Sequence, residues 1–252
     1  MILEIALTVS ESKRLIARGV AAHPAVKRAL AHGIVAIAPG TTDGYVAEEL
    51  TGTPLDKPKY MTGSTLPAGA DPEKLFFRTL PDLVLKRGKP LSDTTLADAI
   101  KEMKRGDVFI KGANALHYET RRVGILVGHP TGGTIGAAIG AIVGRRIVLV
   151  VPVGLEKCVA HRIEDVARFI ESDADCRGAV PSLWPLDAEI VTEIEALQML
   201  TGVTAMQSGA GGVGGAEGAV RLTLRGTPEQ IEAAAALVKS IQGEPPFVPT
   251  PL

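Results

Sequence analysis

Apolar residues along the first part of the chain recur in two rhythms. Over residues 10–31, Leu15, Ile16, Val20, Val26 and Leu30 lie on one helical face, which predicts an amphipathic helix. Ser10 is the expected cap, Pro24 the expected kink or break between two shorter helices, and Gly33 the stop. Residues 34–38, Ile-Val-Ala-Ile-Ala, then form a short unbroken apolar run of the kind found in buried parallel strands. A turn over residues 39–44, Pro-Gly-Thr-Thr-Asp-Gly, leads to a helix expected over 45–50.

Similar units recur. Residues 107–111, 123–127 and 147–151 are further apolar runs, and each enters a turn with glycine, at 112–116, 128–136 and 152–157. Helices are expected over 96–104, from the glycine-rich turn to Val143, and around Val159, Ile163, Val166 and Ile170. Residues 83–91 read as a hairpin turning at Arg87 and Gly88. Strands alternating with helices predict an α/β fold, a three-layer core with a parallel sheet covered on both faces. The last third differs. Two capping boxes, Thr192 with Glu195 and Thr227 with Gln230, announce helices, the second with Pro228 at its first position. Between them two strands are expected, at 203–207 and 219–224. The division predicted is a core over 1–185 with an irregular insertion at about 51–95, and a small α+β subdomain over 186–252.

Charge narrows the partners. With 27 basic and 28 acidic residues the net charge is −1, so nothing draws the chain to nucleic acid or a membrane surface. The longest apolar stretch, 135–155, is broken by Arg145, Arg146 and Pro152 and does not make a membrane span. Two cysteines, Cys158 and Cys176, make no disulfide framework, and residues 1–7 have no basic leader, so a reduced, cytoplasmic setting is expected. The mean hydropathy of +0.21 and the many small residues fit burial between subunits, hence a homo-oligomer.

Ligands of open parallel sheets sit beyond the carboxyl ends of the strands. The turns holding Gly40, Thr41 and Thr42, and Gly132, Gly133 and Thr134, each open a helix there, where free N–H groups and the helix dipole favour an anion. The same turns also serve as plain helix caps. Gly112 allows close approach of backbone, Lys157 and Lys111 can neutralise an anion, and Asn114 can orient a carbonyl. Asp43 and Glu156 are the candidates for proton transfer or nucleophilic attack, with His129 as a further base. The string 209–214, Gly-Ala-Gly-Gly-Val-Gly, matches a dinucleotide fingerprint in letters only, because it precedes a strand and not a helix. Its loop, 208–218, reads as a flexible hairpin loop, with the alternative that it folds over the site and carries Glu217 in. Cys158 and His161 lack a second ligand pair, so no metal is expected.

The segment 34–50, Ile-Val-Ala-Ile-Ala-Pro-Gly-Thr-Thr-Asp-Gly-Tyr-Val-Ala-Glu-Glu-Leu, resembles the first strand–turn–helix of a superfamily that groups ribose-phosphate isomerase, glucosamine-phosphate deaminase, sugar-sensing repressor domains and CoA transferases. Residues 107–114, the glycine-rich turn and residues 145–151 follow in the same order, so the resemblance spans about 10–165. It implies an α/β core whose Gly-Thr turn holds a phosphate or CoA group. The isomerases carry paired acids after the strand-end glycine, whereas Gly112 here is followed by Ala113, Asn114 and Ala115; their lysine in the glycine-rich turn is replaced by Pro130 and Thr131. The leading expectation is an isomerase- or transferase-like enzyme for a phosphorylated or CoA-linked small molecule, with CoA itself as a possible substrate and no resident cofactor. The alternatives are a small-anion sensor acting through a protein partner and a structural oligomer component.

Overall fold

In the computed structural model, residues 1–63, 65–66, 80–172, 175 and 180–247 are described. Residue 64, residues 67–79 of the insertion, and Cys176 lie outside them. The chain is mixed α/β. Its main sheet has six strands, in the order β10 (Glu189–Val191), β8 (Val148–Pro152), β5 (Val108–Ile110), β2 (Ile34–Ile37), β3 (Leu83–Lys86) and β4 (Lys89–Pro90). The first four are mutually parallel, with Val35, Val108 and Val148 in register. The hairpin β3–β4 turns at Arg87 and Gly88 and adds an antiparallel edge against β2.

The run at 123–127 does not join this sheet. As β7 (Arg122–Val127) it lies antiparallel between β6 (Ala115–His117) and β9 (Ser182–Leu186) in a separate three-stranded sheet. The reason is local. Only residues 118–121 separate β6 from β7, enough for a hairpin but far short of the dozen or more that a parallel crossover needs. The fourth parallel strand is β10 instead.

The expected helix at 10–31 is two, α1 (Val9–Ala22) and α2 (Pro24–His32), divided before Pro24. Its cap is Thr8 and not Ser10: Thr8 Oγ1 accepts the Glu11 amide at 3.3 Å, and the Glu11 carboxylate accepts the Thr8 amide at 2.9 Å. Ser10 has Lys13 three residues on and cannot be repaid in this way. The next helix, α3 (Thr41–Thr51), starts four residues earlier than the sequence suggests, with Asp43 in its first turn, where the dipole favours a carboxylate. Helices α4 (Leu96–Glu102), α5 (Gly133–Arg145) and α6 (Ile163–Glu171) follow.

The last helices, α7 (Glu193–Thr201) and α8 (Pro228–Lys239), start from the two expected capping boxes. Strands β11 (Thr204–Ala210) and β12 (Val220–Arg225) pair antiparallel, and β1 (Ile2–Leu7) from the start of the chain supplies the third strand beside β12. Helix α1 ties the parts together. It packs on β8 and β10, on α3, and so closely on α7 that a Cβ on Gly19 would fall 2.8 Å from the Ala196 Cα. One apolar cluster runs from Ile5 and Leu7 through Val35, Phe109 and Val150 to Leu222 and Ile241. Among the described residues no helix is long and apolar enough to cross a membrane.

Candidate functional site

The carboxyl ends of β2, β5 and β8 open on a cleft of about 1040 Å³. Each strand end delivers a different group. After β2 come Gly40, Thr41, Thr42 and Asp43; after β5 come Lys111 and Gly112; after β8 a short turn carries Lys157. The end of β7 and the start of α5 close the opposite wall with Leu126, His129, Gly132, Gly133 and Thr134. Phe247, Pro181 and Met61 complete the rim.

Two helices point their amino ends at this space, and neither is capped by a side chain. Gly40 precedes α3 and Gly132 precedes α5, and neither glycine has a hydroxyl or carboxylate to satisfy the first amides. Gly132 is required: its φ is +84°, and an added Cβ would lie 2.8 Å from the Trp184 ring and 2.9 Å from the Gly136 Cα. Gly40 is required for another reason, since a Cβ there would collide with the Asp43 carboxylate.

Asp43 is fully buried. Its Oδ2 accepts the Gly112 amide at 3.0 Å, and its Oδ1 has no hydrogen-bond partner. Burial pushes its pKa up, opposed by the Lys111 ammonium, the Gly112 amide and Lys157. Burial equally pushes the Lys111 pKa down, with Asp43 pulling the other way. Lys111 reaches the Gly112 carbonyl at 3.5 Å, and Lys157 donates to the Ala113 carbonyl at 2.8 Å. Each ammonium has three donors, so both retain protons for a ligand. Thr42 Oγ1, also buried, is a second polar atom at the cleft without a partner. An anion would find here amide donors, a hydroxyl and two cations, beside one carboxyl group suited to carry a proton.

Gly40, Thr41, Thr42, Asp43, Gly112, Asn114, Gly132, Gly133, Thr134 and Lys157 are thus brought to one cleft, with Lys111 and His129. Asn114 is partly engaged: its Oδ1 accepts the Leu126 amide at 3.0 Å across the β6–β7 hairpin, which leaves its amide NH2 to donate. His129 Nδ1 accepts the Thr131 amide at 3.2 Å.

Glu156 does not line the cleft. Although it precedes Lys157, it enters a buried cluster with Lys13 and Glu193, and its Oε2 is without a partner. Burial and the neighbouring Glu156 raise the Glu193 pKa to about 7, and burial lowers that of Lys13 to about 8. Glu217 also stays away from the cleft, accepting the Gly215 amide at 2.9 Å within its own loop. The glycine string at 209–214 begins at the end of β11 and leads to the antiparallel β12, with no helix between.

Sequence reasoning did not reach Phe247, Met61 or Pro181. They come to the rim by long-range packing, and no motif marks them. Among the described residues there is no group of three or more metal-ligating side chains. No protein-family model, no curated protein and no solved structure matches this chain.

Proposed function

We propose that the chain is an enzyme for a small molecule bearing a phosphate or a CoA-type anion, bound at the cleft beyond β2, β5 and β8. The observation that carries this reading is the meeting of two uncapped helix ends and two lysines around one buried, half-satisfied carboxyl, Asp43. The amides at the starts of α3 and α5, with Thr41, Thr42 and Thr134, hold the anion. Lys157 neutralises it, and the Asn114 amide orients the reacting carbonyl. Asp43 exchanges the proton, its burial keeping it closer to neutrality than an exposed carboxyl, as general acid–base work requires. Lys111 stabilises the carboxylate once the proton has left. This set suits an isomerase- or transferase-like reaction on a three-layer core, with the C-terminal α+β unit as a subdomain, in a cytoplasmic homo-oligomer. The resemblance of residues 34–50 to sugar-phosphate isomerases and CoA transferases points the same way.

The test is a thermal-shift panel of inorganic phosphate, sugar phosphates, free CoA and acyl-CoAs. A ligand at 100 times its Kd adds about 2.7 kcal/mol to stability, which is about 5–10 °C for a chain of this size. Stabilisation by one class, lost in a folded Thr42→Val, Lys157→Met double variant, is the expected result. No shift with any class refutes the anion site. Binding without turnover in any isomerase or transfer assay removes the enzyme and leaves a sensor.

A further inference from the structure

Lys157 depends on a support outside the cleft. It stands on a single turn, residues 155–157, closed by the Lys157 amide donating to the Gly154 carbonyl at 3.0 Å and the Cys158 amide to Leu155 at 3.1 Å. The start of this turn is held from a distant part of the chain. Glu193, the first residue of α7, is completely buried, and its Oε2 accepts the Leu155 amide at 3.0 Å. Its other oxygen has no partner. Around that carboxyl stand Ser12 from α1, Glu156 from the turn and Cys158 just after it, and Glu156 in turn faces Lys13. Ser12 Oγ is buried beside the Glu193 carboxyl.

A buried carboxyl with one unsatisfied oxygen, beside a second carboxyl, is costly and is not needed to start α7. The Thr192–Glu195 capping box already does that. What Glu193 does instead is bridge. One atom of α7 fixes one end of a three-residue turn, and the other end places Lys157 Nζ on the Ala113 carbonyl in the cleft.

We propose that Glu193 is a positioning residue for the cleft: by holding the Leu155 amide it fixes the turn that presents Lys157, and so sets the affinity for the anionic end of the ligand. This rests on the anion-binding reading above. Removing the acceptor lets the turn relax and Lys157 leave Ala113. Restoring a neutral acceptor of the same shape brings it back.

The experiment measures sulfate binding to the full chain by calorimetry, with sulfate as a dianion whose charge is constant near neutral pH. Glu193→Ala is expected to weaken binding about tenfold, and Glu193→Gln to stay within about twofold of the parent. In a Lys157→Met background, Glu193→Ala is expected to weaken binding no further, because the two residues act through one contact. Independent, additive losses overturn the proposal, as does failure of Gln to rescue. A second readout does not need a ligand. Lys157 acetylation by acetic anhydride, followed by mass spectrometry, is expected to be several-fold faster in Glu193→Ala and unchanged in Glu193→Gln. If the parent binds no sulfate but the acetylation pattern holds, the anion reading fails while Glu193 keeps its place under Lys157. If the acetylation rates are equal in all three proteins, the positioning role is refuted whatever sulfate does. If Glu193→Ala does not fold, Glu193→Asp, whose shorter side chain withdraws the acceptor, is read by the same two measurements.

Discussion

Glu193→Gln should stabilise the protein, and the gain should depend on pH in a defined direction. In the folded chain the Glu193 pKa stands at about 7 against 4.5 in an exposed peptide, so the native state holds a proton that the unfolded chain has released. The Glu193 contribution to stability therefore falls as pH rises from about 4.5 to about 7 and is flat beyond, since its carboxyl is then ionised in both states. At about 1.4 kcal/mol per pKa unit, the full penalty is about 3 kcal/mol. Glutamine removes it while keeping an oxygen for the Leu155 amide. The variant should gain about 1 kcal/mol at pH 5 and about 3 kcal/mol at pH 7.5. Urea unfolding of both proteins at the two pH values measures this directly, and Lys13, with a pKa of about 8, stays largely charged in that window. An equal change at both pH values would refute the reasoning, because it would mean that Glu193 does not titrate between them.

Arg14→Ala should cost about 2–3 kcal/mol, measured by chemical unfolding. Its guanidinium joins Glu48 and Glu49 on α3 to Glu244 in the C-terminal segment and stacks 5.0 Å from the Tyr45 ring, and removing it leaves three partly buried carboxylates facing one another. Amide exchange over residues 242–247 should quicken in the same variant, and an unchanged rate would mean that the segment is held otherwise. Two neighbouring glycines should respond differently to alanine. Gly132→Ala adds a clash with Trp184 and Gly136 to the left-handed backbone cost and should lose about 2–4 kcal/mol, whereas Gly133→Ala, at φ +57° with only His129 Cβ at 3.7 Å, should lose about 1 kcal/mol. Equal losses would refute the close approach of Trp184 and Gly136 as the reason for glycine at 132.

Local chemistry was legible in the residues themselves. The break before Pro24, the capping boxes at Thr192 and Thr227, the hairpin at Arg87–Gly88 and the strand–turn–helix unit at 34–50 all follow from contacts within a few residues, and the structure has each of them. So does the gathering of Gly40, Thr42, Asp43, Lys111 and Lys157, because groups at the carboxyl ends of parallel strands share one sheet edge. Pairing between distant segments was decided only by the tertiary structure. An apolar run has the same letters in a parallel or an antiparallel sheet, so the pattern puts β7 in the wrong sheet and does not mark β10. Nothing near residue 2 indicates that β1 pairs with β12 more than 200 residues away. Glu156 and Lys157 are adjacent in the chain, but in the single turn 155–157 one side chain goes to the buried cluster with Glu193 and the other to the cleft. Which of two neighbouring charged groups meets a ligand depends on what packs behind the turn. Here that is α1 and α7, brought together by burial of Gly19 against Ala196, a contact between segments about 180 residues apart.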